Sequence, residues 1–387
     1  MFHLFLASTI NIDIIYVLLN LILLFVFTVA GINVSCRRSF WGNAFICSIF
    51  FIFIVGSRYG RGNDYLHYAS VFIHDEDIKQ PFFRSINTFF REFLSIGKYA
   101  IFYIYAIPFI LCGFKFLKNF AIHAKWYFPL FLVSMLYFEE YEIRQALSFS
   151  FVFLFLDEFI SNDTNGKKII WCGVWVLLTF SLHSANIFFI ICFLGIYYTC
   201  KSIISWKIVV PILFFASYFF ADYYDISLLQ PILNLLSGTN AKFSHYIEGG
   251  AAEAWFGDSA LQLDNERNPI IKVLDFIAHS SLFYFAYKTL KRRDLVNRQL
   301  MLTMTNIYIM GDIARQAFLY LELLNRMSGM FQRMWIFPFA MVMIYNSFYK
   351  LKGIERVAYL FMFFLFYDYA KYLFAPPIGM TKFLWDI

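Results

Sequence analysis

The chain has 387 residues, of which 60% are hydrophobic, 22% aromatic and only 15% charged, and its formal net charge is +6. Its mean hydropathy of +0.62 is far above that of soluble domains, which excludes a soluble enzyme or a soluble binding module. The basic residues are dispersed along the chain and form no dense stripe, so the positive charge does not indicate binding of nucleic acid.

Apolar segments recur along almost the whole chain. They predict an all-α, polytopic membrane protein of about 12 transmembrane helices, folded as a single integral-membrane domain over residues 1–387. Because the segments continue to residue 373, we expect the first to be a retained span and not a signal peptide. In chain order they are 10–31, 40–56, 99–116, 126–138, 145–160, 169–182, 184–198, 206–220, 270–287, 299–320, 333–349 and 357–373.

Lys and Arg concentrate in alternate connections between these segments, and the positive-inside rule assigns that set to the cytoplasm. Both termini and two long loops, 57–98 and 221–269, are then predicted to face away from the cytoplasm. The sequence has no phosphate-cradling motif among the short cytoplasmic turns, so we expect any chemistry on the outer side. The six cysteines form no CxxC pair and indicate neither a disulfide framework nor a metal site.

A polar stretch, SRYGRGNDYLHY at residues 57–68, interrupts the apolar sequence directly after the second segment. Arg58 and Arg61 supply planar donors suited to phosphate oxygens, and the neighbouring glycines let the backbone bend, which predicts an anion site. Asp64 could hold Arg61 in place or accept a proton from a substrate hydroxyl. Alternatively, the stretch is an interfacial loop whose arginines touch lipid headgroups.

A short amphipathic helix is predicted to follow from Asn63. Tyr65, Tyr68 and Phe72 are spaced to share one face of it. Their rings are expected either to pack or to face a sugar, and in the interfacial alternative the tyrosines belong to an aromatic belt.

Further along the chain, FEEYEIRQ at 138–145 and SLHSAN at 181–186 carry ionisable groups beside short apolar segments. Carboxylates such as Glu142 close to Arg144 could supply a base with a raised pKa, or could only neutralise the arginine. His183 is a candidate base, although a lone histidine is often a satisfied core residue.

The region from 311 to 335 holds a second group of charges. Asp312 and Arg315 are one helical turn apart, and Arg326 and Arg333 are seven residues apart, so these side chains form either packing ion pairs or a second anion site. The preceding helix is expected to stop near Gly311 or to continue to residue 320 with Asp312 and Arg315 buried.

The loop at 221–269 is acidic and carries two aromatic-rich patches, FSHYIEGG and EAWFGD. Aromatic rings with carboxylates indicate a sugar-binding surface, and a lid or a docking surface is the alternative.

Several of these motifs together resemble the EpsG-like, Wzy-type polysaccharide polymerases. The stretch SRYGRGNDYLHYASVF is similar to the family's signature after the second span, and EIRQALSFSFVFLFL, SLHSANIFFI and LNRMSGMFQRMWIFPF follow in the family's order. The chain departs from the pattern at Asn63, where the family usually has a small residue or Thr.

The resemblance implies an enzyme of the bacterial inner membrane. It would polymerise undecaprenyl-pyrophosphate-linked oligosaccharide repeat units into O-antigen or a related surface polysaccharide on the periplasmic face, and release undecaprenyl pyrophosphate. Its partners would be that lipid-linked glycan, membrane lipid and a chain-length regulator. No cofactor, metal or nucleic acid is expected.

In the corresponding mechanism, Arg58, Arg61, Arg326 and Arg333 hold pyrophosphate, and Arg144 orients a carboxylate or a phosphate. Asp64, His183 and Glu142 are the candidate bases. The alternatives are a flippase for lipid-linked oligosaccharides, an O-antigen ligase or another polyprenyl-dependent glycosyltransferase, and a purely structural membrane protein.

Overall fold

The computed structural model describes residues 2–62, 65–74, 81–161, 166–202, 209–220, 268–319, 322–374 and 382–383. Its helices up to the second long loop are α1 (Phe2–Ser35), α2 (Phe40–Ser57), α3 (Tyr65–His74), α4 (Pro81–Thr88), α5 (Ile101–Leu117), α6 (Ala124–Tyr141), α7 (Ile143–Ile160), α8 (Gly166–Leu182), α9 (Ala185–Thr199) and α10 (Val209–Phe219). After that loop come α11 (Pro269–Leu290), α12 (Arg298–Ala317), α13 (Glu322–Gln332), α14 (Ile336–Tyr345), α15 (Ile354–Phe361) and α16 (Tyr367–Phe374).

Short segments of other geometry link some helices. A π-helical turn covers Phe89–Phe93, and 3-10 segments cover Lys118–His123, Arg333–Trp335, Phe348–Lys350 and Met362–Phe366. Two two-residue strands, β1 (Arg58–Tyr59) and β2 (Lys382–Phe383), pair antiparallel with Arg58 opposite Phe383.

Five helical stretches in the described part of the chain are long and apolar enough to cross a membrane: Ile14–Ser35, Phe40–Ser57, Ile101–Tyr141, Pro269–Leu290 and Ile354–Phe374. Helices dominate because a backbone in lipid must satisfy its own hydrogen bonds. The class of an all-α membrane protein is thus confirmed. Each of the twelve predicted segments overlaps a helix, but the count of twelve spans stays a prediction.

The 41-residue stretch is a hairpin. Phe120 has non-helical backbone angles within the 3-10 segment that joins α5 to α6. Ring centroids lie 4.8 Å apart for Phe114 and Phe128 near this bend and 6.2 Å apart for Phe109 and Phe138 further from it. The two helices therefore run antiparallel, and the end of α6 returns to the side of the molecule where α5 begins.

The chain divides into two compact units. The first contains Met1–Cys192 and Phe366–Ile387. In it, α1 packs against α2 and α6, while α5 packs against α2 and α7, and α7 against α8.

The described residues of the first long connection, 57–98, belong to this unit. Helix α3 turns Tyr65, Tyr68 and Phe72 into a buried apolar cluster that also contains Phe83 and Phe102. The predicted amphipathic helix is confirmed.

The second unit contains Phe193–Leu365. There α11 packs against α14 and α15, and α12 packs against α10, α13 and α14. Helix α12 continues beyond Gly311, but it ends at Ala317 and not at residue 320. Asp312 is fully buried, as the longer of the two predicted helices requires, whereas Arg315 is only half-buried. Of the second long loop, 221–269, residues 221–267 lie outside the described residues.

Candidate active site

Helix α2 ends at Ser57, and the next residue, Arg58, is completely buried. Its guanidinium donates one hydrogen bond from Nη1 to the carbonyl oxygen of Val55 and another from Nη2 to the carbonyl oxygen of Glu140, at 3.3 Å. Nη1 also lies 3.6 Å from Oε2 of Glu139. The first arginine of the predicted anion site is therefore located between the end of α2 and the end of α6.

Arg61 is only 2% exposed and lies beside the same turn of α6. Its Nη2 donates a 2.7 Å hydrogen bond to the carbonyl oxygen of Tyr372, and its Nε lies 3.9 Å from Oε2 of Glu140. The guanidinium carbon is 3.7 Å from the ring centroid of Tyr16, whose hydroxyl donates to Oε2 of Glu140 at 2.7 Å. Aromatic rings and a carboxylate hold the Arg61 side chain in this position.

The backbone between the arginines and α3 makes a turn that requires glycine. Gly62 has φ of +99°, and a Cβ atom built on it would lie 2.5 Å from the carbonyl oxygen of Glu140. This close approach brings the arginine segment against the last turn of α6.

Two arginines and two glutamates thus form one buried cluster of balanced charge. The ion-pair distances of 3.6 and 3.9 Å exceed the length of a hydrogen bond. Among the described residues, Nε of Arg58, Nε of Arg61, Oε2 of Glu139 and Oε1 of Glu140 are buried and have no hydrogen-bond partner. The cluster therefore holds buried donors that its own acceptors do not satisfy.

Its members come from the ends of several apolar stretches of the first unit. Arg58 follows the end of Phe40–Ser57, and Glu139 and Glu140 stand at the end of Ile101–Tyr141. Tyr16 lies within α1, fourteen residues after Phe2, and Tyr372 is two residues before the end of α16 at Phe374. The cluster is therefore formed where α2 and α6 end.

The two tyrosines predicted beside the arginines pack into a buried cluster, and their predicted contact with a sugar stays a prediction. The Tyr65 ring stacks on Phe102 with centroids 4.0 Å apart, and the guanidinium carbon of Arg58 is 5.8 Å from its centroid. Burial raises the pKa of the Tyr65 phenol, so it keeps its proton at neutral pH. Tyr68 packs edge-on against Phe83, with ring centroids 5.9 Å apart.

The structure describes the predicted catalytic residues in less detail. Asp64 lies outside the described residues. Glu142 and Arg144 are half-buried at the turn between α6 and α7, and His183 is half-buried between α8 and α9. Asn186 donates a 2.8 Å hydrogen bond to the carbonyl oxygen of Gln145, which attaches the His183 turn to the start of α7. The catalytic roles of these four residues stay predictions.

The remaining predicted arginines belong to the second unit. Arg326 is exposed on α13, and Arg333 is half-buried in the 3-10 segment that follows it. Their predicted contacts with pyrophosphate stay predictions.

Asp312 and Arg315 are joined through a third side chain. Nε2 of Gln332 donates to Oδ1 of Asp312 at 2.5 Å, and Oε1 of Gln332 accepts from Nη1 of Arg315. Oδ1 of Asp312 also lies 3.1 Å from Nδ1 of His279. Across the part of the chain that the structure describes, no group of three His, Cys, Asp or Glu residues could hold a metal ion.

Sequence reasoning missed several partners in these clusters. The sequence singled out Glu139 and Glu140 within FEEYEIRQ but placed them beside Arg144, whereas the structure pairs them with Arg58 and Arg61. Tyr16 and Tyr372 gave no such signal, since 356 positions separate two residues that meet at one arginine. His279 likewise gave no signal in the sequence, because it stands within an apolar segment.

The model of the EpsG family matches residues 43–384, which is most of the chain. No curated protein and no solved structure matches it. The match includes Arg58, Arg61, Glu139 and Glu140, together with the whole second unit. The chain belongs to the EpsG family.

Proposed function

We propose that the protein joins undecaprenyl-pyrophosphate-linked oligosaccharide repeat units into O-antigen or a related surface polysaccharide and releases undecaprenyl pyrophosphate. Membership of the EpsG family, a Wzy-like polysaccharide polymerase family, supports a polymerase-type glycosyltransferase in general. The lipid-linked substrate, the inner-membrane location and the periplasmic site belong to the proposal.

The observation that carries the substrate class is the buried pair of arginines at the end of a membrane-spanning helix. Burying a guanidinium costs several kcal/mol, even when a carboxylate is near. Here Arg58 and Arg61 are both buried, and the carboxylates approach them without hydrogen-bonding to them. A pyrophosphate offers oxygens that can accept hydrogen bonds from both guanidinium groups at headgroup depth. These hydrogen bonds would offset the free-energy cost of burying the two arginines.

The proposed reaction is glycosyl transfer between two lipid-linked chains. The arginines bind the pyrophosphate of the donor and stabilise the charge that develops on it as its bond to the sugar breaks. Arg326 and Arg333 hold the second pyrophosphate, and Arg144 orients a carboxylate or a phosphate. A base, with Asp64, His183 and Glu142 as sequence candidates, removes the proton of the attacking hydroxyl. A chain-length regulator would act on the periplasmic loops.

The test compares Arg61→Lys with Arg38→Lys. Lysine keeps the charge but lacks the planar fork, and Arg38 is an exposed arginine in the turn after α1. With purified protein in lipid nanodiscs, we expect Arg61→Lys to weaken binding of undecaprenyl pyrophosphate at least tenfold, because a bidentate contact is lost. Arg38→Lys should bind like the wild type. Equal binding by both variants would contradict the arginine site.

A deletion strain separates the reaction classes. Loss of a polymerase should leave glycans one repeat unit long on the cell surface, whereas loss of a flippase should leave none. Loss of a ligase should leave long polymer attached to undecaprenyl pyrophosphate. Either of the last two outcomes would contradict the proposed polymerisation.

A further inference from the structure

The first long connection exposes an apolar surface at the π-helical turn that follows α4. Phe89 is 49% exposed, Phe93 77% and Leu94 46%. The rings of Phe89 and Phe93 stack on each other, with centroids 5.4 Å apart. A group of three large apolar side chains is unfavourable in water, because free energy falls when apolar surface is removed from it. The turn therefore needs a partner that covers these side chains.

Hydrogen bonds hold the backbone of this turn against α3. The N–H of Leu94 donates to the carbonyl oxygen of Phe89 at 3.3 Å, which closes the turn. Nη1 of Arg91 donates to the carbonyl oxygen of Phe72 on α3 at 2.6 Å, and its Nη2 donates to Oε1 of Glu92 at 3.0 Å. The exposed apolar side chains thus belong to a hydrogen-bonded element whose charged residues are bound elsewhere.

Contacts of α4 show how deep the turn lies along the neighbouring helix α5. Asn87, in the last turn of α4, accepts a hydrogen bond from the hydroxyl of Tyr105. Phe83 packs on the same tyrosine, with ring centroids 5.7 Å apart. Tyr105 is four residues after Ile101, where α5 and its apolar stretch begin, which is about 6 Å along the helix axis. The end of α4 therefore lies beside the part of α5 where a spanning helix enters the hydrocarbon.

Contacts with α7 indicate a similar depth. The buried apolar cluster that contains residues of α3 and α4 also contains Ile143 and Leu147 of α7, and Phe151 packs against it. Helix α7 begins at Ile143, so Phe151 is eight residues, or about 12 Å, further along its axis. The first connection therefore reaches below the ends of the helices that surround it.

The nearby surface of α8 faces lipid. Leu182 at the end of α8 belongs to the same buried cluster, whereas Leu177 and Phe180, within its last two turns, are exposed. Exposed leucine and phenylalanine on a helix of a membrane protein contact acyl chains. Since α4 packs against α8 and is only eight residues long, the turn at its end lies near this lipid-facing surface.

We propose that the π-helical turn is a membrane anchor, which inserts Phe89, Phe93 and Leu94 among the acyl chains of phospholipids at the bilayer interface. An amphipathic element at this depth buries its apolar side in the acyl boundary and keeps its charges, here Arg91 and Glu92, at the headgroups. Phospholipid fits this surface because the surface is apolar, lies beside the entry of α5 into the hydrocarbon and is close to the lipid-facing side of α8.

The anchor also bears on the arginine segment, although it does not require the proposed glycosyl transfer. Arg91 binds the turn to Phe72 of α3, and α3 begins three residues after Gly62. A turn that is fixed in the interface would therefore hold α3, and with it the end of the arginine segment, at a constant depth in the membrane.

The test places spin labels on the full chain in phospholipid nanodiscs, in a background without the six native cysteines. Phe93→Cys and Leu94→Cys put a label on the turn, and Glu92→Cys is the matched control, because the Glu92 side chain is charged and 64% exposed. Oxygen concentrates in hydrocarbon, whereas a nickel chelate stays in water. We expect the ratio of oxygen to nickel collisions to be at least about fivefold higher at residues 93 and 94 than at residue 92.

Two results would overturn the anchor. If the nickel chelate reaches residue 93 as readily as residue 92, the turn lies in water. If neither reagent reaches residues 93 and 94, protein covers the turn, either another part of this chain or a partner. Both results leave the proposed polymerase untouched, because the anchor is measured without substrate.

A second measurement needs no substitution. Wild-type protein is irradiated in nanodiscs with a phospholipid that carries a diazirine on its acyl chain, and is then digested with trypsin. Cleavage after Arg84, Arg91 and Lys98 releases the peptides 85–91 and 92–98, and we expect both to carry lipid adducts. The peptide 294–298, from the polar connection between α11 and α12, should carry none. Absence of adducts from both peptides of the turn would contradict the anchor.

Discussion

Glu139 and Glu140 attract Arg58 and Arg61 without forming hydrogen bonds to them, at N–O distances of 3.6 and 3.9 Å. In the proposed reaction these carboxylates occupy the place that phosphate oxygens need. They keep the lipid-free cluster neutral, and they must give way when a pyrophosphate binds. In this proposal the glutamates therefore set how tightly the donor and the product bind.

Glu140→Gln tests this competition. The amide oxygen can still accept from Tyr16, but the negative charge is gone. We expect the affinity for undecaprenyl pyrophosphate to rise about tenfold, since one unfavourable charge–charge term of more than 1 kcal/mol disappears. The lipid-free protein should lose about 3 kcal/mol of stability, because two buried arginines then share one carboxylate. Both effects can be measured by thermal unfolding with and without the lipid.

Glu92→Gln is the control for that variant. Glu92 is an exposed residue of the π-helical turn that pairs with Arg91, so neither stability nor affinity should change by more than about 0.5 kcal/mol. Weaker binding by Glu140→Gln would mean that this carboxylate belongs to the binding site and does not compete for it.

Gly62→Ala should disrupt the arginine turn. The positive φ and the 2.5 Å approach to the Glu140 carbonyl oxygen leave no room for a methyl group, and we expect a loss of about 2 kcal/mol or more. Gly173→Ala, at a helical position of α8 with no atom within 4 Å of the added Cβ, should be neutral or slightly stabilising. Thermal unfolding of the two variants checks this, and equal midpoints would contradict the close approach.

At the scale of elements, the strand pair attaches the last described residues to the arginine segment. Phe383 is 1% exposed, and its backbone lies opposite Arg58. Phe383→Ala should lower stability by about 3 kcal/mol, as buried Phe→Ala replacements do, and should weaken lipid binding through the displaced Arg58.

Phe374→Ala is the matched comparison, because Phe374 is 72% exposed at the end of α16. It should change neither stability nor lipid binding. If both variants behave like the wild type in unfolding and binding assays, the strand pair does not support the arginine site.

The helices could be predicted from the sequence because lipid selects long apolar helical runs. Their ends could not be predicted as well. The segment 126–138 predicted for α6 omits the last turn, where Glu139 and Glu140 lie, because hydropathy assigns charged residues to loops. The two-residue strands left no periodic pattern at all. The site depends on these helix ends, so the residues that contact its arginines can be identified only from the structure.

At the scale of the whole molecule, the sequence predicts an orientation that can be measured directly. All six cysteines are free thiols, and Cys36 is exposed in the turn after α1. In a variant whose only cysteine is Cys36, a membrane-impermeant maleimide should label inverted vesicles but not intact spheroplasts.

Ser95→Cys, in the same background without Cys36, should give the opposite result, because Ser95 is exposed in the first long loop. Labelling of both positions from the same side would contradict the predicted topology. Reversed labelling would move the arginine cluster to the cytoplasmic face and exclude a periplasmic reaction.

Which residues meet in the two polar clusters could not be predicted from their positions in the sequence. Arg61 meets Tyr16 from the first span, Glu140 from α6 and the backbone of Tyr372. In the second unit, His279 meets Asp312 across 33 positions. Local motifs identified the arginines, whereas the residues that surround them are set by how the helices pack.

The hydrogen bond from Arg61 to Tyr372 and the pairing of Arg58 with Phe383 impose an order on biosynthesis. The ribosome makes both arginines early, and Glu139 and Glu140 can neutralise them once α6 is inserted. The carbonyl oxygen of Tyr372 is made 311 residues after Arg61, and the strand at Lys382–Phe383 follows it. A chain that stops before Tyr372 would thus lack these two backbone contacts of the arginine segment.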